Sequence, residues 1–286
     1  MDLHVKLYYL RDSPLLRTQK PYMVGPGFLK TIPTCNYRLA PGPEQLIEDV
    51  RGSTEEFTLA KQGFTFRSWS PSEIDWTDEN QIVNTYLSEA QELVRQELNL
   101  GEDFVRSEVF DWRIRNTDSP ERIKNIEGGR MTKIRPADVV HIDQSSAGAF
   151  DRLNHLLPKE EVDELTARYR VQIFNVWRPV KGVVEQWPLT ICDARTATMD
   201  DLDEMEYITE EFVRSSYLAK FNERHRFYYM SKMTNQDVCI FKIFDSAYHT
   251  AGETVGCPHT AFKIESVTSS SPRESIEARV FVFSKY

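Results

Sequence analysis

The sequence predicts a mainly β protein with flanking helices, an α+β chain built on an antiparallel barrel or sandwich. Three observations carry this reading. Short alternating apolar segments recur from residue 105 to the end. Only one long stretch near the front repeats its apolar residues at helical spacing. The chain has 286 residues, enough for one sizeable core, and β barrels of this length are commonly one domain. We therefore expect a single domain over 1–286, in which an N-terminal region (1–104) wraps a β core (105–286).

The elements follow in order. Leu3-His4-Val5-Lys6-Leu7-Tyr8-Tyr9 reads as a short strand, and 57–60 with 64–66 read as a hairpin turning at Gly63. A helix is predicted over 78–98. Thr77 can cap it, and Asp78 and Glu79 place acid in the first turn, where the helix dipole favours it. Ile82, Val83, Tyr86, Leu87, Ala90, Leu93 and Val94 form its apolar stripe, suited to packing on a sheet, and Gly101 lies just past its end. Residues 109–115 alternate, with Phe110, Trp112 and Ile114 on one face. A strand end at 139–143 and a short helix over 159–168, after Pro158, come next. Further strands are expected at 171–177, 189–192, 226–230, 238–244, 260–264 and 275–283.

Composition narrows the partners. The net charge of −9 argues against nucleic acid or an anionic membrane, both of which need a basic patch. No apolar run reaches the 18 or so residues of a membrane span. The opening Met1-Asp2-Leu3-His4-Val5-Lys6 lacks the basic-then-apolar pattern of a signal peptide. Cys35, Cys192, Cys239 and Cys257 show neither CxxC spacing nor tight pairing, which disfavours a disulfide scaffold or zinc knuckle. We expect a cytoplasmic protein with a small-molecule partner. The oligomeric state stays open, a homodimer among the options.

The chemistry centres on Val139-Val140-His141-Ile142-Asp143-Gln144-Ser145. In a strand, residues two apart project to one face, so His141 and Asp143 point together. An imidazole and a carboxylate make two thirds of a 2-His-1-carboxylate triad, which leaves positions open on iron(II). HxD alone is weak and more often marks a buried, hydrogen-bonded histidine. The third ligand must come from far along the chain. His155 reads as part of a loop before a helix, and His225 as a surface residue beside Asn222, Glu223, Arg224 and Arg226. His249 and His259 are the candidates. Arg273-Glu274-Ser275-Ile276-Glu277-Ala278-Arg279 separates them, since Arg273, Ser275, Glu277 and Arg279 share one strand face. An arginine with a serine two residues on can hold a carboxylate through a forked pair of charged hydrogen bonds plus a hydroxyl. Only His259 lies one loop away from that face, which favours it over His249.

The order His-x-Asp, distal His, Arg-x-Ser resembles the iron(II)/2-oxoglutarate-dependent dioxygenases. More narrowly, the chain resembles the fungal hydroxylase/desaturase family related to gibberellin desaturase-like and cephem 7α-methoxylase components. The phrases that carry this are Val140-His141-Ile142-Asp143-Gln144-Ser145, Asn175-Val176-Trp177-Arg178-Pro179, Pro188-Leu189-Thr190-Ile191-Cys192-Asp193, His225-Arg226-Phe227-Tyr228-Tyr229, Phe241-Lys242-Ile243-Phe244-Asp245-Ser246, Pro258-His259-Thr260-Ala261-Phe262 and Ser275-Ile276-Glu277-Ala278-Arg279. They span residues 105 to 286; the first hundred add little. Val255-Gly256-Cys257 departs from the acidic or glycine turn expected before Pro258, which puts that loop alone in doubt.

The resemblance implies a double-stranded β-helix (jelly-roll) core. It implies His141, Asp143 and His259 on iron(II), with 2-oxoglutarate as co-substrate and dioxygen as oxidant. It also implies a C-terminal arginine on the far carboxylate of 2-oxoglutarate. Arg273, with Ser275, fits the Arg-x-Ser pattern, and Arg279 competes for the role. Asn175, Trp177, Arg178, Tyr228 and Lys242 are expected to line the substrate or 2-oxoglutarate pocket. The implied reaction is hydroxylation, desaturation or oxidative cyclisation of a small secondary-metabolite intermediate. The rival reading is a non-catalytic jelly roll, or a metal-binding one independent of 2-oxoglutarate, such as a cupin-like isomerase.

Overall fold

The computed structural model describes residues 1–25, 33–119, 133–210, 212–248, 255–268 and 271–286. The strands are β1 (Leu3–Leu10), β2 (Tyr22–Val24), β3 (Leu39–Asp49), β4 (Phe64–Ser68), β5 (Phe104–Asn116), β6 (His141–Ile142) and β7 (Arg170–Lys181), followed by β8 (Leu189–Cys192), β9 (Leu202–Ile208), β10 (Val213–Ala219), β11 (Phe227–Tyr229), β12 (Asp237–Asp245), β13 (His259–Ala261) and β14 (Glu274–Ser284). The helices are α1 (Glu79–Gln81), which runs through a π segment (Ile82–Tyr86) into α2 (Leu87–Leu98), then α3 (Ser146–Leu156) and α4 (Lys159–Arg168).

These strands form two sheets. One has nine strands in the order β1-β3-β11-β8-β13-β6-β10-β9-β2; the other has five, β4-β12-β7-β14-β5. Two curved, largely antiparallel sheets face each other as in a jelly roll. The period-two pattern of β14 shows how they are layered. Phe281 and Phe283 join the core between the sheets, while Ile276, Ala278, Val280 and Val282 join a second cluster with Ile82, Tyr86, Leu87, Ala90, Leu93 and Val94. The helical stripe therefore covers the outer face of the five-stranded sheet, and the polar residues of β14 look inward.

The structure adjusts the predicted elements at several points. Asp78, not Thr77, caps the long helix, accepting from the backbone N–H groups of Asn80 and Gln81. Val83 leaves the stripe and is 41% exposed. Asn99, at φ 46°, ends the helix ahead of Gly101. Residues 57–60 form no strand, so there is no hairpin; β4 pairs with β12 instead. Phe110 does not share a face with Trp112 and Ile114. The β5–β14 register jumps between Arg279 opposite Asp111 and Val280 opposite Val109, and this bulge turns Phe110 inward onto Phe281, 4.5 Å between ring centroids.

The first 104 residues do more than wrap the core, since β1–β4 take places in both sheets. β3 escapes sequence reading because Pro41, Gly42 and Pro43 look like breakers. They are tolerated because β11 pairs with β3 only at Ile47, Glu48 and Asp49, so this stretch has an unpaired edge. The sequence also hides α3: His155 sits within it, and Ser145 caps it by accepting from the Gly148 N–H. His225 is not at the surface but 4% exposed, its Nε2 3.4 Å from Asp201.

Candidate metal centre

His141 and His259 are direct partners across β6 and β13, and opposed residues of an antiparallel pair share a face. A row therefore runs Tyr228, Ile191, His259, His141, Leu218 across the nine-stranded sheet. A second row faces it from the five-stranded sheet: Phe241, Asn175, Arg279, Asp111, paired across β12, β7, β14 and β5. The two rows meet. The His259 ring lies 4.6 Å from Phe241, and Asp143, two residues beyond His141, is reached by Asn175 Nδ2 at 3.1 Å and Arg279 Nη2 at 2.8 Å.

Within this meeting point the two imidazoles are 4.4 Å apart between centroids. His141 Nε2 is 3.6 Å from Asp143 Oδ1, and His259 Nε2 is 3.5 Å from Asp143 Oδ2. Each imidazole fixes its other nitrogen on a backbone carbonyl: His141 Nδ1 on Val139 at 2.8 Å, His259 Nδ1 on Cys257 at 3.0 Å. With Nδ1–H donated outward, each Nε2 lone pair is turned to the centre, the tautomer a metal requires. One donor atom from each of the three residues lies within 4.8 Å of the others. Two imidazole nitrogens and a carboxylate are the donor set of an open iron(II) site, so the residues fit the metal. Burial raises the Asp143 carboxyl, but the Arg279 guanidinium and the two imidazoles outweigh it and hold the group well below the usual carboxylate range. Burial, helped by the neighbouring His141, lowers His259, which keeps it neutral and able to donate a lone pair.

The approach to His259 depends on one glycine. A Cβ on Gly256 would sit 2.6 Å from the Ile243 carbonyl carbon. Its absence lets the 255–257 backbone press onto β12, where the Cys257 N–H donates to the Lys242 carbonyl at 2.7 Å. The Val255-Gly256-Cys257 stretch that departs from the expected turn thus supplies the carbonyl that orients His259.

A cavity runs from the two histidines past Trp177, Leu189 and Phe241 to Arg273. Arg273 is 4% exposed, 5.3 Å over the Trp177 ring, with Nη1 donating to the Trp187 carbonyl at 2.5 Å. Trp187 holds φ at 56°, a strained value for a bulky residue. Arg273 Nε and Ser275 Oγ are buried without a hydrogen-bond partner. Burial, with Arg115 adding like charge, pushes the Arg273 guanidinium down to about 9. A buried cation lining the cavity and a buried hydroxyl two residues further on, both under-satisfied, are what the far carboxylate of a 2-oxo diacid would complete.

Arg279 does not fit the co-substrate role. Nη1 donates to Asp111 at 2.5 Å, and Nη2 donates to both Asp143 and Glu277 at 2.8 Å. Three carboxylates take up its fork. Arg178 is likewise corrected: it lies on the outer face, its guanidinium 5.3 Å over Trp69 and 5.9 Å over Tyr86, donating to the Asn235 carbonyl. It faces away because its strand neighbour Trp177 faces in. Lys242 is paired with Asp245 at 3.1 Å rather than lining the cavity. Tyr228 shares the inner face, but its ring packs on Phe57 and Phe64, at 4.9 and 5.8 Å, two strands from His259. Trp177 stands in the cavity wall, whereas Asn175 is not among the residues lining it and donates to Asp143 instead. His249 lies outside the described residues.

Sequence reasoning missed Asp111, Arg115 and Glu277. Arg115 holds Glu277 through two bonds of 2.8 and 2.9 Å. The signal was present: Asp111, Arg113 and Arg115 alternate on β5, and Arg279, Glu277 and Ser275 alternate opposite them on β14.

The chain is similar to several known oxidoreductases. A family described as an oxidoreductase/YMDC permease-like domain matches residues 7–283. Among the described residues, no helix is long and apolar enough to cross a membrane. The hydroxylase/desaturase efuI of Hormonema carpetanum is 31% identical over 252 residues, 83% of this chain and 82% of its own. The Fe(II)/2-oxoglutarate-dependent dioxygenase nvfI of Aspergillus novofumigatus is 31% identical over 270 residues, 86% of this chain and 90% of its own. A solved structure of the iron and alpha-ketoglutarate-dependent endoperoxidase NvfI superposes with a TM-score of 0.80 at 26% identity, covering 100% of this chain and 99% of that one.

Proposed function

The chain belongs to the fungal hydroxylase/desaturase family of iron(II)/2-oxoglutarate-dependent oxygenases, and from that premise we propose that His141, Asp143 and His259 hold the iron(II) while Arg273 and Ser275 bind 2-oxoglutarate. One observation carries the metal assignment: both Nε2 atoms converge on Asp143 while both Nδ1 atoms are tied to backbone carbonyls. The relatives favour this over a non-catalytic or 2-oxoglutarate-independent jelly roll.

Iron(II), when bound, supplies the redox chemistry by which dioxygen converts 2-oxoglutarate to succinate and carbon dioxide and the substrate loses a C–H hydrogen. The chain's own residues do the rest. The imidazoles present neutral lone pairs because their N–H groups are already committed. Asp143 stays ionised at any working pH and supplies the anionic ligand. Arg273 draws in the far carboxylate by a charge-assisted fork, and Ser275 donates its hydroxyl to the same group. Trp177, Leu189 and Phe241 wall the passage with apolar surface, which excludes water and strengthens those contacts.

We read residues 1–286 as one oxygenase domain, because strands of the first hundred residues pair with strands far along the chain in both sheets, β3 with β11 and β4 with β12. The substrate we assign is a small secondary-metabolite intermediate, supported by the hydroxylase, desaturase and endoperoxidase activities named for the relatives, and the setting we assign is cytoplasmic. Anaerobic addition of iron(II) and 2-oxoglutarate to the metal-free protein tests the site. The wild type and His225→Ala should develop a weak visible charge-transfer band, and His259→Ala should not. A folded, metal-loaded wild type without the band would refute the co-substrate reading, and a band that survives His259→Ala would refute the ligand set.

A further inference from the structure

We infer that Arg279 is a positioning residue for the metal, a guanidinium that grips Asp143 while Asp111 and Glu277 fix its fork and offset part of its charge. The inference rests on Asp143 being a metal ligand, as proposed above.

The argument begins with a conflict of signs. A guanidinium within hydrogen-bond reach of a ligand carboxylate fixes that carboxylate, which favours metal binding. The same guanidinium is a cation beside a dication, and in a dry site that repulsion is not small. The site resolves the conflict with two further buried carboxylates. Asp111 is 3% exposed and takes Nη1; Glu277 is 5% exposed and shares Nη2 with Asp143. Each of these carboxylates has a second arginine of its own. Arg113 stands 3.2 Å from Asp111, and Arg115 holds Glu277 bidentately. The arrangement is a closed ion network that ends on Asp143, and it spans β5 and β14 at paired positions, Asp111 opposite Arg279 and Arg113 opposite Glu277.

Neither Asp111 nor Glu277 is among the three residues whose donor atoms cluster, so neither is placed to bind the metal itself. Two buried carboxylates beside a dication site that do not ligate it need a reason, because burying charge is costly without a partner. Each is shared between Arg279 and a second arginine, so together they hold the Arg279 fork in place and offset part of its charge. Asn175 holds the other oxygen of Asp143 at 3.1 Å, so the carboxylate is held from two strands of the five-stranded sheet while His141 and His259 come from the opposite sheet.

Manganese(II) is the probe, titrated calorimetrically into the metal-free protein without 2-oxoglutarate. Arg279→Gln should weaken manganese binding on the order of 10- to 100-fold, the usual effect of losing an outer partner of a ligand. Asp111→Asn, which leaves the guanidinium uncompensated, should weaken it several-fold, and Asp111→Glu should restore most of the loss. The double variant Asp111→Asn/Arg279→Gln should bind no more weakly than Arg279→Gln alone, because Asp111 acts only through Arg279. 2-Oxoglutarate affinity, measured at saturating manganese, should stay within about twofold of wild type in each, as it would not for a co-substrate anchor. Unchanged or tighter manganese binding in Arg279→Gln, or additive losses in the double variant, would overturn the inference. Asp143→Ala separates this from the ligand assignment: if it too binds manganese normally, the ligand set fails first.

Discussion

At the residue scale, Arg273, just before β14, and Arg279, within it, have different partners, although the sequence leaves one role open between them. Both sit on the inner face, and alternation says no more than that. What separates them is what they meet. Arg279 meets three carboxylates, whereas Arg273 meets one carbonyl and an aromatic face; Nε is unpaired in both. Arg273→Gln should therefore raise the 2-oxoglutarate Kd roughly 100-fold, the loss of charge-assisted hydrogen bonds worth about 1.5–3 kcal/mol each. Ser275→Ala should cost about tenfold, a single hydrogen bond to a charged acceptor worth about 1.5 kcal/mol. Titration of the manganese-loaded variants checks both, and an unchanged Kd in Arg273→Gln would move the anchor elsewhere. His141, Asp143 and His259 were legible because their spacing carries their chemistry. Asp111 and Glu277 were not picked out, because a buried charge is recognised by its partner, and the partner depends on a register that the sequence does not state.

At the element scale, long strands with clean alternation were legible and short or interrupted ones were not. β8 is the exception among the short strands: it matches its predicted limits, and all four of its residues are buried. β13 is only three residues long, and prediction started it at Thr260, one residue past the ligand. Bulges also escape sequence reading, since an extra residue at Phe110 costs nothing in pattern yet turns a side chain from one sheet face to the other. The loop before β13 is the most exacting element. Gly256→Ala must push the backbone off Ile243, so it should destabilise the protein by about 1–3 kcal/mol, as overpacking does. It should also weaken manganese binding by moving the Cys257 carbonyl off His259. Urea unfolding and metal titration together test this; a stable variant with normal affinity would show that the loop tolerates the shift.

At the scale of the whole molecule, the five-stranded sheet separates two environments. Its outer face carries the helical stripe, and its inner face carries the ion network and the cavity wall. Leu93, 7% exposed, packs on the outer side. Leu93→Ala should cost about 2–4 kcal/mol of stability, the usual loss for a buried leucine. It should leave manganese and 2-oxoglutarate affinities within about twofold of wild type, because no polar partner of the site lies on that face. Thermal unfolding and the two titrations check this, and a large affinity loss would mean that the sheet transmits strain. The mainly β class was visible in the sequence. The part played by the first hundred residues was not, since their strands pair with partners far along the chain: β4 with β12, β3 with β11.

β14 has one further consequence. Arg279 stands six residues beyond Arg273, which directly precedes a strand clamped on both sides, by β5 and β7. At about 3.4 Å per residue, the two guanidinium roots are about 20 Å apart. One arginine holds Asp143 and the other lines the cavity that reaches the two histidines. The strand cannot stretch or slip without breaking two ladders, so the separation of the two arginine roots is set by the backbone and not by side-chain rotamers.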